Sequence, residues 1–346
     1  MSQIALTLLE RRAALERFGY SEREAEFLCL AGLHGGYFLR RQYACFLGTS
    51  DGGNVTQLIE KALNLGHAEA ATYKSNVHIY HLAARPFYAA IGQEDNRNRR
   101  RKEAITIKTK LMGLDFVLAH PDKEYLTTEQ EKVAFFNERF SVEPHELPVK
   151  HYAGRGEITE RYFVEKYPIF WLPSPEPASP PVVSFCFVDP GLAGVVGFET
   201  FLSQYGSLFS NLHDFEVIYV AAKEVLFPEA RTAFQRFSDR CWTSAKSLDL
   251  SADLPKILEY FEARRLFEAK EFASFDRAKL IRFRDQQVAY GSRKIEALYK
   301  RWKTGGSLNG LGNLEPKRGL QPGNVGHFST YLLDYSYDLF GSLTSH

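Results

Sequence analysis

Residues 54–82, NVTQLIEKALNLGHAEAATYKSNVHIYHL, constrain the fold of this chain more than any other stretch. The first half carries an apolar stripe at helical spacing and ends at Gly66, which suits the left-handed residue that closes a helix. The second half predicts two antiparallel strands around the turn YKSN. A short amphipathic helix followed by a small polar hairpin is typical of the end of a winged helix-turn-helix. The stripe consists of Val55, Leu58, Ile59, Ala62 and Leu63.

Two further helices are predicted upstream of this stretch. SEREAEFLCLAGLHGGYF begins with a capping box formed by Ser21 and Glu24 and ends at Gly35 and Gly36. LRRQYACFLG predicts a second short helix that ends at Gly48. Three helices and a hairpin together predict a winged helix-turn-helix over residues 18–92.

The outer face of the third helix is polar without alternating Lys and Glu. Amide and hydroxyl side chains can read base edges in the major groove of DNA. The tip of the hairpin would reach the phosphate backbone or the minor groove. The alternative is a solvated face on a module that binds other proteins. The predicted contacts are Asn54, Thr56, Gln57 and Lys61 on the helix, and Tyr73 and Lys74 at the hairpin tip.

Residues 93–145 are predicted to form a basic joint followed by connecting helices. The joint, NRNRRRK, carries Arg97, Arg99, Arg100, Arg101 and Lys102, which would neutralise phosphates next to a winged helix. A solvated linker is the alternative. Residues 100–119 then predict an amphipathic helix, which would pack either against a second copy in a homodimer or within the monomer. A second capping box is expected at Thr128 and Glu131.

The segments Leu39 to Leu47, Leu58 to Gly66 and Tyr80 to Leu82 resemble the N-terminal part of the replication-relaxation family. These are winged-helix proteins associated with the replication or mobilisation of plasmids and integrative elements. The resemblance covers about a quarter of the chain and implies double-stranded DNA as the partner, for replication, transfer or transcription control. Lys61 is the only base on the third helix here, where the family usually has a run of arginines.

Residues 146–250 predict an α/β sheet domain. RYFVEKYPIFWL, VVSFCFV and FEVIYVAA read as strands, and residues 195–210 as a helix between the last two. Strand, helix and strand in this order indicate a buried sheet with a crossover connection. With the helices on either side, the predicted fold class is α+β.

A metal-dependent nuclease is the enzymatic alternative for this domain. Asp189, Glu216 and Lys223 would be its magnesium ligands and charge stabiliser. Such chemistry usually places a carboxylate two residues before the lysine, and that position is Ala221. A catalytically silent nuclease-like domain or a protein-interaction scaffold therefore remains as the alternative, and no catalytic residue, metal site or cofactor is predicted.

Residues 251–304 predict basic helices that offer either a second nucleic-acid surface or a cover for the sheet. Residues 305–346 predict a flexible connector and an aromatic tail that would dock on the body or on a protein partner. Charge is segregated along the chain. Residues 1–110 hold 16 Lys and Arg against 11 Asp and Glu, residues 111–250 hold 12 against 20, and residues 251–346 hold 15 against 11. Two basic ends therefore flank an acidic middle.

The compartment follows from the cysteines and the N-terminus. Cys29, Cys45, Cys186 and Cys241 lie at no zinc-binding spacing and are interpreted as buried thiols in a reducing compartment. No run of about eighteen apolar residues occurs, and the N-terminus is charged where a signal peptide needs an apolar segment. The sequence therefore predicts a cytoplasmic protein with no membrane partner.

Overall fold

The computed structural model shows a mixed α/β protein. The strands form a five-stranded sheet and two smaller sheets within the described part of the chain, and helices cover both faces of the larger one. The structure describes residues 6–73, 77–153, 158–165, 167–173, 180–191, 194–244, 250–269, 271, 274–290, 295, 298–299, 302–303 and 325–337.

The N-terminal unit packs helices against a small antiparallel sheet with the strand order β1-β3-β2. The capping box at Ser21 and Glu24 is confirmed. A comparable box at Thr7 and Glu10 begins α1, a helix that the sequence reading missed. The elements are α1 (Leu8–Glu16), α2 (Glu22–His34), β1 (Tyr37–Phe38), α3 (Arg40–Leu47), α4 (Gly53–Asn64), β2 (Ala68–Thr72), β3 (His78–Leu82) and α5 (Arg85–Ala90).

The apolar stripe of α4 closes the core of this unit. Val55, Leu58, Ile59 and Ala62 are all buried, whereas Leu63 at the edge of the stripe is exposed. Gly66 takes the left-handed conformation expected of it, with φ at +65°. The stripe of α4 therefore faces the other helices and leaves the opposite face outward.

The next helix, α6 (Ala104–Ala119), lies between two cores. Leu114 packs into the N-terminal unit, whereas Ile107, Leu111 and Phe116 pack with Tyr37, Leu39 and Ile79 against the larger sheet. Ala119 is the one exposed residue of α6. Dimerisation through residues 100–119 is therefore the wrong interpretation for this helix, because the surface that a second copy would need is buried within the monomer.

The larger sheet has the strand order β10-β9-β8-β7-β4. Strands β8, β9 and β10 are parallel, while β7 is antiparallel to both β8 and β4. Helix α7 begins with the predicted capping box at Thr128 and Glu131, which is confirmed. The elements are β4 (Glu124–Tyr125), α7 (Glu129–Phe140), β5 (Val149–Ala153), β6 (Ile158–Tyr162), β7 (Ile169–Leu172), β8 (Val182–Asp189), α8 (Val196–Phe209), β9 (Asp214–Ala221), α9 (Phe227–Ser244), α10 (Leu250–Glu268), α11 (Arg277–Ala289) and β10 (Val325–Leu332).

The predicted crossover from β8 through α8 to β9 is confirmed. The single strand predicted over RYFVEKYPIFWL is instead two. Phe163 has a positive φ of 49° and turns its ring into the core, which ends β6 before β7 begins in another sheet. Lys150 and Tyr152 lie on β5, the partner of β6 in a separate two-stranded hairpin.

Residues 325–332 form the parallel edge strand β10 and are part of the larger sheet. The sequence analysis had no strand here and predicted an aromatic tail that docks on the body or on a partner. The residues that follow reach back to the N-terminal unit. Arg41 on α3 donates two hydrogen bonds to Asp115 on α6, at 2.7 and 2.8 Å, and Tyr337 donates its hydroxyl to the same carboxylate. The guanidinium of Arg41 also lies 3.9 Å from the ring centre of Tyr335. The predicted connector at 305–324 lies outside the described residues.

Helices α10 and α11 share a small core of their own, which includes Ile257, Phe261 and Phe283. Several of their predicted basic side chains pair with glutamates on the same helices. These pairs are Arg264 with Glu268, Arg265 with Glu262, and Arg282 with Glu259. This pairing favours a solvated helical surface over a second nucleic-acid surface.

The structure bears on the predicted burial of the cysteines and on membrane-spanning segments. Cys29 and Cys186 are buried, but Cys45 is exposed on the outer side of α3, so the interpretation of all four as buried thiols is wrong for Cys45. The side chain of Cys241 lies outside the described residues. In the part of the chain that the structure describes, no helix is both long and apolar enough to cross a bilayer.

Candidate nucleic-acid interface

The outer face of α4 is open. Asn54, Gln57 and Glu60 are exposed, and they stand opposite the buried stripe of the same helix. Neither Asn54 nor Gln57 has a side-chain hydrogen bond to another described residue, so their amide groups are available to a ligand. These two positions match the sequence prediction of exposed polar side chains.

The other two predicted residues of α4 are held by the fold. Thr56 accepts a hydrogen bond of 2.9 Å from Arg40, which also pairs with Asp51 at 2.7 Å. Lys61 donates to Glu24 at 2.6 Å and to the carbonyl oxygen of Gly19 at 2.9 Å. A base contact by Lys61 would require it to leave a buried carboxylate, because the side chain of Glu24 is only 6% exposed.

Lys61→Ala is therefore expected to lower the stability of the protein. Glu24 would remain buried without its charged donor, at a cost of about 1–3 kcal/mol in the free energy of unfolding. Urea unfolding followed by circular dichroism measures the loss. Arg23→Ala is the matched control, because Arg23 is exposed and its pair with Glu26 lies on the surface of the same unit. Equal unfolding midpoints for the two variants would contradict the proposed role of Lys61.

The tip of the β2–β3 hairpin is partly packed against the protein body. Tyr73 and Val77 are half-buried beside the cluster that joins the N-terminal unit to the larger sheet. The backbone N–H of Tyr73 donates to the carbonyl of Val77 at 2.8 Å and closes the hairpin. Lys74 lies outside the described residues, so the structure neither places it nor tests its predicted contact.

The basic joint is a short turn around a buried asparagine. Asn98, 1% exposed, donates to the carbonyl of Gly32 at 3.0 Å, and its own carbonyl lies 2.7 Å from Nε2 of His81. The arginines therefore project to different sides of the turn. Arg99 donates to the carbonyls of Glu94 and Ala83.

Arg100 and Arg101 face outward, next to the strand that follows α4. Arg101 pairs with Glu69 on β2 at 2.7 Å, and its side chain remains 85% exposed. Arg100 is exposed and has no ion pair within the described ranges. The guanidinium of Arg101 lies near the base of the hairpin, where phosphate contacts would flank the outer face of α4.

Arg97 and Lys102 face inward to a cleft of about 790 Å³. The cleft is bounded by the basic turn, by α6, by the first turn of α7 and by the β5–β6 hairpin. Arg97 places its guanidinium carbon 4.4 Å from the ring centre of Tyr152 on β5. No pattern in the sequence indicates this cleft, because the segments that bound it lie far apart along the chain.

The residues of the alternative nuclease do not form one site. Asp189 ends β8 and pairs in register with Ala221, whereas Glu216 pairs with Ser184 near the other end of that strand. Five residues of strand place the two carboxylates roughly 16 Å apart along the sheet. Glu216 accepts hydrogen bonds from Ser184 and Ser329, and Asp189 from Tyr219. Among the described residues no group of three or more metal-ligating side chains converges.

Two residues that the sequence analysis did not single out prove central to this region. Gln42 is fully buried and donates to Asp115 and to the carbonyl of Leu111, each at 2.8 Å. Asn98 stands among the arginines of the basic joint and is buried at the centre of its turn. Comparison of the chain with models of protein families, with curated proteins and with solved structures gives no match in any of the three.

Proposed function

We propose that the protein binds duplex DNA through the outer face of α4, with the β2–β3 hairpin beside it in the manner of a winged helix-turn-helix. The observation that carries this proposal is the exposure of Asn54 and Gln57 on a helix whose opposite face is fully buried. Amide side chains can make two hydrogen bonds to the edge of an adenine in the major groove.

The order of the elements supports the same proposal. Helices α2, α3 and α4 precede the hairpin, and the two-residue strand β1 between α2 and α3 adds a third strand to it. In a winged helix the last helix enters the major groove, and the hairpin lies along the neighbouring backbone. A function in the replication, transfer or transcription control of a plasmid or mobile element rests on the resemblance to the replication-relaxation family.

Arg100 and Arg101 would supply the contacts to phosphate that α4 lacks. The one base of α4 is engaged by Glu24, so affinity at physiological salt has to come from outside the helix. Arg101 has its pair with Glu69 on the surface, and such pairs exchange readily for phosphate because they contribute little to stability. The two arginines would position the protein and leave the reading of sequence to Asn54 and Gln57.

The test is binding of the full chain to duplex DNA across a salt series, after selection of a preferred sequence from a random duplex library. Asn54→Ala/Gln57→Ala is expected to lower the preference for the selected sequence by about tenfold or more. The salt dependence should stay the same, because neither residue is charged. Gln204→Ala/Asn211→Ala is the matched control, since these two exposed amides lie on or directly after α8.

Arg100→Ala/Arg101→Ala is expected to change the salt dependence of DNA binding instead of its sequence preference. The slope of log affinity against log salt should become shallower by about two, with sequence preference retained. Absence of binding at low salt, or binding that all variants leave unchanged, would contradict the proposal. A protein-interaction surface on α4 would then be the better interpretation.

A further inference from the structure

The cleft beside the basic turn has the size of a small-molecule site. Its volume of about 790 Å³ lies within the range of roughly 300–1,000 Å³ that ligand sites in proteins span. Polar side chains that are almost fully buried contribute to its wall, including Asn98, Thr128 and Arg11 at 1%, 3% and 4% exposure. The cleft is therefore a preformed polar site within the protein body.

Positive charge in the cleft exceeds negative charge. Three of its four carboxylates are neutralised locally, Glu94 by Arg85, Glu129 by Arg161 and Glu165 by Lys150. Arg97 and Lys102, by contrast, have no carboxylate partner among the described residues. Burial and the charges of Arg97 and Arg100 lower the pKa of Lys102 below its usual value. An anion bound at this position would relieve the repulsion among these cations.

Two arginines of the wall have unused hydrogen-bond donors. Arg11 donates through its terminal nitrogens to Thr127 and Glu131, and Arg161 lies 3.5 Å from Glu129. Each keeps a buried Nε–H for which the described residues provide no acceptor. Buried donors without an acceptor are rare in native proteins. Both arginines line the cleft, and a shift of either side chain would be needed to bring its Nε–H to an acceptor oxygen on a bound molecule.

An aromatic ring completes the set of contacts. Tyr152 lines the cleft and has the guanidinium of Arg97 against its ring, whereas the rings of Tyr162 and Tyr167 pack against the core of the larger sheet. A base can stack on such a ring, and an adjacent arginine adds a cation–π contribution. At the same wall, Asp95 offers a carboxylate that can accept hydrogen bonds from ribose hydroxyl groups.

We propose that this cleft binds a nucleotide, with its phosphate groups at Arg97 and Lys102 and its base against the ring of Tyr152. This site is separate from the outer face of α4 and does not depend on the proposed DNA binding. The basic joint would then serve two functions. Arg97 and Lys102 face the small ligand, while Arg100 and Arg101 face outward.

The test is calorimetric titration of the full chain with ATP, GTP, CTP and UTP, and with adenosine and pyrophosphate as partial ligands. At least one nucleotide should bind about tenfold or more tightly than either partial ligand, since both phosphate and base are recognised. Arg97→Ala/Lys102→Ala should weaken this binding by about tenfold or more. Arg101→Ala removes a charge from the same turn that is paired with Glu69 on the surface, and it should leave nucleotide affinity unchanged.

The tyrosine ring has its own control. Tyr152→Ala should weaken nucleotide binding by about fivefold or more, whereas Tyr152→Phe should retain it because the ring remains. Absence of binding at millimolar nucleotide would overturn the proposal, as would equal binding of pyrophosphate and nucleotide. Tighter binding of a single-stranded oligonucleotide, lost in Arg97→Ala/Lys102→Ala, would replace it with a groove for nucleic acid. None of these results depends on whether duplex DNA binds α4.

Discussion

Asp115→Ala is expected to remove about 3–5 kcal/mol from the free energy of unfolding, because it breaks a buried ion pair on one side only. The carboxylate of Asp115 is 7% exposed and accepts hydrogen bonds from Arg41, Gln42 and Tyr337. Its loss leaves a guanidinium, an amide and a hydroxyl group without their acceptor. Two of the three donors, Arg41 and Gln42, lie on α3, and the third, Tyr337, follows β10.

Urea unfolding of the intact chain measures this loss, and two variants locate its origin. Tyr337→Phe removes one hydroxyl donor and should cost about 1 kcal/mol. Arg41→Met/Asp115→Leu replaces both charges by apolar groups and should recover much of the stability that Asp115→Ala loses, since no buried charge is left alone. If Asp115→Ala lowers stability by less than 1 kcal/mol, the cluster does not hold α3, α6 and the chain end together.

Gly36→Ala is expected to lower the free energy of unfolding by about 2–4 kcal/mol, from backbone strain and overpacking together. Gly36 has a φ of +77°, a conformation that costs a residue with a side chain about 1–2 kcal/mol. An added Cβ would lie 2.8 Å from the hydroxyl of Tyr88 and 2.9 Å from Cβ of Asn98. Displacement of Asn98 would break its bonds to Gly32 and Lys110.

Gly48→Ala is the matched control for this effect. Gly48 has a similar φ of +67°, but an added Cβ would meet no atom within 4 Å. Its loss of stability should therefore be the conformational cost alone, about 1–2 kcal/mol. The difference between the two midpoints of thermal unfolding reports the close approach of Gly36 to Asn98. Equal losses of stability in the two variants would show that the neighbours of Gly36 move aside at no cost in free energy.

Local patterns were sufficient to predict several elements of the fold. The capping boxes at Ser21 and Thr128 place two helix starts, and the crossover through α8 follows from apolar strands on both sides of an amphipathic helix. Each capping box lies within one helical turn, and the crossover lies within the single continuous segment 182–221. The exposure of Asn54 and Gln57 followed in the same way, from their positions opposite the stripe of α4.

The remaining features depend on residues that are distant in sequence. From local sequence alone, Lys61 is predicted to be an exposed base. In the structure it pairs with Glu24, which lies 37 positions earlier in the chain. The cleft likewise depends on segments that lie far apart along the chain. The burial of α6 did have a local signal, because Met112, Phe116 and Val117 fill the face opposite the stripe of Ile107, Leu111 and Leu114. A helix that is apolar all round is a buried helix.

Strand β10 is synthesised long after β9, the strand with which it pairs, so this edge of the sheet forms late. Strand β9 ends at Ala221 and β10 begins at Val325, so roughly 5–20 s of synthesis separate them at ordinary elongation rates. During that interval the newly made chain exposes the backbone of β9 along one edge, together with the ring of Phe215 that Gly326 later covers. Helices α10 and α11, made meanwhile, have their own core and do not need the missing strand. The edge of β9 would therefore stay open to other strands until Val325–Leu332 have been made.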